Sequence, residues 1–130
     1  MELSERTPVQ DDEMLHGAHA SCAHWLAVGT AGNHARGEWQ CSRVYVTLGR
    51  AEPALSHARR CLEVCESAPA GELEEFDLPF AHEALARAFA LSGDLAAARE
   101  HHQLASSLAA AIADDDEREL VEGDLATIRV

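Results

Sequence analysis

The sequence predicts an all-α protein of about six helices, which pair as antiparallel helical hairpins. Apolar residues recur at three- and four-residue spacing in successive segments, the period of a helix with one buried face. Glycine, proline and helix-capping residues separate these segments, and none of them alternates apolar and polar residues as a half-buried strand does. Aromatic residues make up only 5% of an alanine-rich chain, so the core must consist of small side chains that let helices pack closely.

The chain of 130 residues has the length of one domain with a single core. Residues 1–10 contain a proline and show no periodicity, so we expect a flexible N-terminal arm there. Residues 11–130 are then a single helical domain.

The first two helices are predicted from their apolar faces and flanking residues. The first follows three acidic residues at 11–13, whose charges suit a helix N-terminus, and ends before residues 29–33. Asn33 is the predicted N-cap of the second helix, and Gly49 supplies the left-handed residue that ends it. The expected core residues are Leu15, Ala18, Cys22, Trp25 and Leu26 in the first helix, and Cys41, Val44, Tyr45 and Leu48 in the second.

Four further helices follow. The third begins near Ala51 with a proline in its first turn, and the fourth begins around Asp77 and ends at Gly93. Asp94 caps the fifth helix, and the acidic residues 114–116 mark the start of the sixth. The expected core residues of the third helix are Ala54, Ala58, Cys61, Leu62 and Cys65, and those of the fourth are Phe80 or Ala81, Ala84, Leu85, Ala88 and Phe89. Those of the fifth helix are Leu95, Ala98, His102, Ala105, Ala109 and Ile112, and those of the sixth are Leu120 or Val121, Leu125 and Ile128.

A shift of about 44 residues superposes the middle of the chain on itself. Tyr45 then falls on Phe89, and Gly49 on Gly93. The other matched pairs are Cys41 with Leu85, Ser42 with Ala86, Arg43 with Arg87, Ala54 with Ala98, and Cys61 with Ala105. The repeating unit is therefore a helical hairpin that has an aromatic residue one turn before a glycine turn.

At these positions the chain resembles the tetratricopeptide repeat (TPR) family, whose hairpins carry small residues, an aromatic residue, a glycine turn and an alanine. The matching residues are Ser42, Tyr45, Gly49, Ala54 and Ala58, and then Ala86, Phe89, Gly93 and Ala98. His102 is larger than the pattern prefers, and the period exceeds the family's usual ~34 residues. The resemblance covers about residues 35–112 and extends to short uncharacterised bacterial proteins. It implies a TPR-like superhelix that serves protein–protein interaction or scaffolding.

A stripe of arginines follows one face of the second helix. Arg36, Arg43 and Arg50 recur every seven residues, so they lie along one face. The resemblance implies that this face lines a concave groove. The candidate binding residues are Arg36, Trp39, Gln40, Arg43, Glu83 and Arg87. Guanidinium groups bind carboxylates and phosphates bidentately, so we expect a groove that favours an acidic peptide or small anion.

A second interpretation is that these arginines pair with carboxylates of the fourth helix and the segment before it, namely Glu74, Glu75, Asp77 or Glu83. Trp39 also needs a cover, because an indole on a polar face is commonly buried by another group. The first helix with Trp25, or a second copy of the chain, would supply that cover. We therefore expect self-association as a homodimer.

The charge of −13 excludes some classes of partner. An acidic protein repels nucleic acids and anionic membranes, so we expect neither as a partner, and no apolar run approaches the ~20 residues that span a bilayer. The polar N-terminus has no signal peptide, which predicts a cytoplasmic protein with reduced cysteines. The expected partner is a protein or an acidic peptide.

The sequence predicts no catalytic residues, no metal site and no cofactor. It lacks HExxH, GxSxG and glycine-rich phosphate-loop motifs. Of its eight histidines, His16 and His19 are three residues apart, His101 and His102 are adjacent and point to different helix faces, and the others are scattered. Cys61 and Cys65 lie on the core face and are expected to be buried thiols. The alternative function is a small enzyme or metabolite-binding protein, with His24, Glu38 and Arg43 in a pocket between the first two helices.

Overall fold

The computed structural model describes residues 7–28 and 30–130. For residues 21–28 it describes the backbone only, so the side chains of the expected core residues Cys22, Trp25 and Leu26 lie outside the described part. The described residues form six helices: α1 (Pro8–Val28), α2 (Ala31–Thr47), α3 (Ala51–Ser67), α4 (Asp77–Ser92), α5 (Leu95–Ala110) and α6 (Asp115–Leu125). They contain no strand, so the predicted all-α class is confirmed. None of these helices is both long and apolar enough to cross a lipid bilayer. The TPR-like superhelical arrangement stays a prediction.

The first helix begins earlier than the sequence analysis placed it. Thr7 and Gln10 form a reciprocal cap, in which the N–H of Gln10 donates to Thr7 Oγ1 (3.1 Å) and the N–H of Thr7 donates to Gln10 Oε1 (2.9 Å). This capping box satisfies two donors at the helix start. Residues 8–10 therefore belong to α1, and of the predicted arm, residues 1–6 lie outside the described residues.

The predicted N-cap of α2, Asn33, is wrong. The helix begins at Ala31, and Thr30 is its N-cap, with Thr30 Oγ1 accepting the N–H of Asn33 at 3.4 Å. A contact that is distant in sequence supports this earlier start, because the N–H of Ala31 donates to Glu72 Oε1 at 2.9 Å. The early turns of α2 are thus held against the segment that precedes α4.

The other helix boundaries follow the sequence pattern closely. Gly49 and Gly93 end α2 and α4 with φ values of 74° and 92°, which glycine adopts without strain. Asp94 caps α5 by accepting the N–H of Ala97 (3.1 Å), and Asp114 caps α6 by accepting the N–H of Glu117 (2.8 Å). These predictions are confirmed. Each could be made from the sequence because it depends on local chemistry alone.

The core is built from small side chains at matching positions of the two hairpins, α2 with α3 and α4 with α5. Ala54 and Ala98 are both fully buried, and the other buried pairs are Cys41 with Leu85, Ser42 with Ala86, and Cys61 with Ala105. Ser42 Oγ donates to the carbonyl oxygen of Ala54 at 2.8 Å, so even the polar member of the set is satisfied inside the hairpin. The positions that the internal repeat matches are therefore buried in both halves.

Two expected core residues lie elsewhere. Leu95 is 43% exposed, since it is the first residue of α5 and stands at the end of the hairpin. In α6 the buried face consists of Val121, Leu125 and the following Ile128, whereas Leu120 is 60% exposed. Leu120 instead faces a space between α6 and α2, on the side of α4 that carries the candidate binding residues.

Gly32 lies where α2 comes closest to the segment before α4. A Cβ atom at this position would lie 2.7 Å from the backbone oxygen of Glu72 and 3.2 Å from side-chain atoms of Arg36 and Asp77. We expect Gly32→Ala to lower the unfolding free energy by about 1–3 kcal/mol, because the backbone must move to make room. The melting temperature should fall by about 5–15 °C.

Gly123→Ala is the matched control for Gly32→Ala. A Cβ at Gly123 would meet no atom within 4 Å, and this glycine lies inside α6. We expect the melting temperature of this variant to stay level or to rise slightly, because alanine favours helix over glycine. Thermal unfolding followed by circular dichroism compares the two variants, and equal melting temperatures would contradict the close contact at Gly32.

Candidate functional site

A cavity of about 450 Å³ lies between α2, α4 and α6, and we name it the cleft. Its apolar wall consists of Ala35, Trp39, Cys61, Phe76, Phe80 and Leu120, and its polar edge consists of Arg36, Gln40, Asp77 and Asp124. The residues from α2 and α6 recur at four-residue spacing, so each helix contributes one stripe. The cleft is therefore a mainly apolar space with charged groups at its ends.

One end of the cleft is closed by an ion pair between α2 and α4. Arg36 donates from Nε and Nη2 to the two carboxylate oxygens of Asp77, each at 3.0 Å. Asp77 is 3% exposed and also accepts the N–H of Glu74 at 2.8 Å. The Arg36 guanidinium lies 5.0 Å from the centre of the Phe76 ring. Arg36 is thus held both by its ion pair with Asp77 and by the contact of its planar guanidinium group with the Phe76 ring.

The other end of the cleft is closed around the buried carboxylate of Glu83, which has no exposed surface. The indole of Trp39 donates to Glu83 Oε1 at 2.8 Å, and Arg87 Nε donates to Oε2 at 3.0 Å. Arg43 Nη1 lies 3.9 Å from Glu83 Oε1 and 3.6 Å from Asp124 Oδ2. Arg43 and Arg87, which the repeat makes equivalent, therefore share one carboxylate.

Arg87 also attaches α6 to this network. Its Nη2 donates to the backbone oxygen of Asp124 (3.0 Å) and to Thr127 Oγ1 (2.8 Å). Because Asp124 lies on the cleft edge, these bonds help to hold α6 opposite α2, together with the packing of Val121 and Leu125 on the core.

Arg36 and Arg43 of the stripe are paired within the chain, and so is Arg87 of α4. Two of their partners, Asp77 and Glu83, are carboxylates that the second interpretation named. Arg36, Arg43 and Arg87 meet the carboxylates of Asp77, Glu83 and Asp124. The three positive and three negative charges are equal in number, so these guanidinium groups already contact carboxylates of the chain. The remaining arginine of the stripe, Arg50, lies beyond α2 as the N-cap residue of α3.

The predicted binding residues divide into two groups. Arg36, Trp39 and Gln40 line the cleft directly. Arg43, Glu83 and Arg87 form the hydrogen-bonded network at its end. Sequence reasoning did not assign Cys61, Phe76, Leu120 and Asp124 to the site. Phe76 is an aromatic residue in an acidic stretch and Leu120 is an apolar residue beside Glu119, and these contrasts are the signals that could have found them.

The cover of Trp39 comes from its own chain. Phe80 packs edge-to-face on the indole with ring centres 5.4 Å apart, and the Arg43 guanidinium lies 5.6 Å from the ring centre. A second copy of the chain is therefore not needed to explain an indole at this position, and the homodimer stays a prediction.

The residues named for the alternative pocket lie on different sides of α2. Glu38 Oε1 is 3.3 Å from Nδ1 of His57 on α3, whereas Arg43 faces Glu83 and Asp124. The side chain of His24 is outside the described residues. Between α1 and α2, Tyr45 Oη lies 2.9 Å from His19 Nε2 and its ring stacks on His57. This cluster does not contain the predicted set of three.

Among the described residues, no group of three histidine, cysteine or acidic side chains could hold a metal ion. His82 and His101 approach each other, with 3.0 Å between their Nδ1 atoms. Burial lowers the pKa of both imidazoles, which favours neutral rings. Cys61 and Cys65 are free and buried. The neighbouring Cys65 thiol and burial raise the pKa of Cys61, so the thiol that lines the cleft stays protonated.

No protein-family model, no curated protein and no solved structure matches the chain. The resemblance to the TPR family therefore stays a prediction from the sequence positions.

Proposed function

We propose that the protein is an interaction module of TPR type, which binds a segment of another protein by taking up one bulky apolar side chain of that segment in the cleft. The observation that carries this proposal is the apolar cavity of about 450 Å³ beside the 60% exposed Leu120. A concave space of this size with mainly apolar walls is typical of ligand sites. Exposed apolar surface beside it favours a protein partner.

The composition of the walls supports an aromatic or large aliphatic anchor. Trp39, Phe76 and Phe80 present aromatic surface from two helices, and Leu120 faces them from a third. Aromatic and large apolar anchors in such pockets supply most of the binding energy of many protein interfaces. The neutral ion pairs at both ends argue against the acidic peptide or anion that the arginine stripe alone suggested, because a ligand carboxylate would have to displace Asp77 or Glu83.

The experiment uses synthetic fluorescein-labelled peptides of about 15 residues, with either tryptophan or alanine at the centre of otherwise identical sequences. We expect the tryptophan peptides to bind at least about tenfold more tightly than the alanine peptides, as measured by fluorescence anisotropy. Leu120→Gln should weaken binding of the tryptophan peptides about tenfold. Its melting temperature should stay near that of the wild type, because Leu120 is mostly exposed.

Leu104→Gln is the matched control, since Leu104 is 42% exposed on α5 and does not line the cleft. This variant should bind the tryptophan peptides as the wild type does. The proposal is contradicted if tryptophan and alanine peptides bind alike, or if the variants at Leu120 and Leu104 have equal effects.

A further inference from the structure

We infer that the segment bound in the cleft is basic, with arginine or lysine side chains next to its apolar anchor. This inference rests on the proposed function, because it names the charge of the segment that the cleft takes up. It replaces the acidic partner that the arginine stripe suggested, and it follows from the charge around the two ends of the cleft.

Negative charge is concentrated at the end of the cleft that is formed by Phe76 and Asp77. Glu75 Oε2 accepts the N–H of Ala113 at 3.0 Å, which brings the segment before α4 against the segment before α6. Asp114, the N-cap residue of α6, and Glu117 in its first turn therefore lie on a segment that is held beside Glu74 and Glu75; Asp114 Oδ1 accepts the N–H of Glu117 at 2.8 Å. Four carboxylates thus belong to two neighbouring segments at this aromatic end of the cleft.

The arginines near this end are engaged elsewhere. Arg36 is bound to Asp77, and Arg118 donates to Asp115 and to the backbone oxygen of Ile112. Over residues 7–28 and 30–130, no arginine forms an ion pair with the four carboxylates at Glu74, Glu75, Asp114 and Glu117. Lost solvation and then the charges of its acidic neighbours raise the pKa of Glu117, in agreement with a negative field at this end.

The two ends of the cleft therefore differ in charge. The Glu83 end is balanced by Arg43 and Arg87, whereas the Asp77 end has four carboxylates beyond its own ion pair. A basic segment gains from this field and an acidic one is repelled, and the whole chain at −13 acts in the same direction.

The positions of the carboxylates also fit an anchor beside a cation. Glu117 precedes Leu120 by three residues and lies on the same side of α6. A side chain that enters the cleft against Leu120 therefore has its neighbours within reach of Glu117 and Glu74. Arg36 already shows that a guanidinium can lie against Phe76 at this end, with 5.0 Å from Cζ to the ring centre. A partner arginine has both a ring and carboxylates to contact.

The test compares three fluorescein-labelled peptides that share a central tryptophan and differ only in flanking residues: lysine and arginine, serine and glutamine, or glutamate. Anisotropy is measured at low and high NaCl concentration. We expect the basic peptide to bind about tenfold more tightly than the neutral one, and the glutamate peptide to bind most weakly. High salt should remove most of the difference, because exposed charges are screened.

Paired variants locate the charge effect. The double variant Glu74→Gln/Glu117→Gln should weaken binding of the basic peptide about fivefold and leave the neutral peptide unchanged. Glu52→Gln/Glu63→Gln removes the same charge from exposed positions on α3 and should leave both peptides unchanged. Melting temperatures of both double variants check that the fold is kept.

The outcomes separate this inference from the proposed function. If tryptophan peptides bind but the neutral or acidic one binds as tightly as the basic one, the basic partner is wrong and the interaction module stands. The same conclusion follows if the two double variants behave alike. If no tryptophan peptide binds, the proposed function fails, and the inference fails with it.

Sedimentation of the wild type checks for a second copy in the cleft: a dimer that Leu120→Gln dissociates would overturn the basic partner.

Discussion

Replacing Glu83 by alanine is expected to lower the unfolding free energy by about 3–5 kcal/mol, a large part of the stability of a domain of this size. The variant leaves the indole N–H of Trp39 and the Nε–H of Arg87 without their acceptor. It also leaves a cavity where a fully buried side chain stood. Urea unfolding followed by circular dichroism measures the change.

Glu83→Gln is the conservative comparison. The amide oxygen can still accept the hydrogen bond from Trp39, so we expect about half the loss of the alanine variant. A double-mutant cycle with Arg87→Met measures the coupling between Glu83 and Arg87, which should be at least about 1 kcal/mol because Arg87 donates to the fully buried Glu83 carboxylate at 3.0 Å. A loss below about 1 kcal/mol for Glu83→Ala would show that this network does not stabilise the fold.

The same network links stability to the shape of the cleft. Arg87 bridges Glu83 to the end of α6, and Arg43 bridges Glu83 to Asp124. Asp124 and Leu120 form the α6 side of the cleft. Removing Glu83 therefore loosens the helix that stands opposite α2, and any peptide binding by the variant should weaken even at temperatures where the chain is still folded.

Local chemistry explains which parts of the fold the sequence could predict. Gly49, Gly93, Asp94 and Asp114 act within one turn of their own position, and the structure confirms each of them. The start of α2 was misplaced because Thr30 is assisted by a side chain that is distant in sequence and arrives only with the tertiary fold. Propensity alone cannot supply that contact.

The candidate site also depends on tertiary contacts that the sequence pattern does not contain. The seven-residue spacing groups Arg36 and Arg43 on one face, but spacing does not decide between a ligand and carboxylates of the chain as their partners. Asp77 and Asp124, which pair with them, come from other helices. Leu120 and Val121 both fit the apolar pattern of α6, and only the packing of α6 on the core decides which one faces the cleft. Charge compensation and helix rotation are tertiary properties.

Asp77→Ala should cost about 2–4 kcal/mol of unfolding free energy, whereas Asp115→Ala should cost less than about 0.5 kcal/mol. Both carboxylates pair with an arginine, but they differ in burial and in the number of hydrogen bonds that they accept. The side chain of Asp77 is 2% exposed and accepts two hydrogen bonds from Arg36 and one from the backbone of Glu74. The side chain of Asp115 is 80% exposed and pairs with Arg118 three residues away. Urea unfolding of the two variants measures the difference.

The hydrogen bonds to Asp77 that explain this difference in stability also bear on ligand binding at this end of the cleft. In the alanine variant, Arg36 and the N–H of Glu74 lose the acceptor that the buried Asp77 carboxylate supplies, so the loss of these hydrogen bonds adds to the lost ion pair. Equal effects of Asp77→Ala and Asp115→Ala would show that this pair does not hold α2 against α4. If the effects differ as expected, the pair that closes this end of the cleft is structural, and its arginine is not free to recognise an anion.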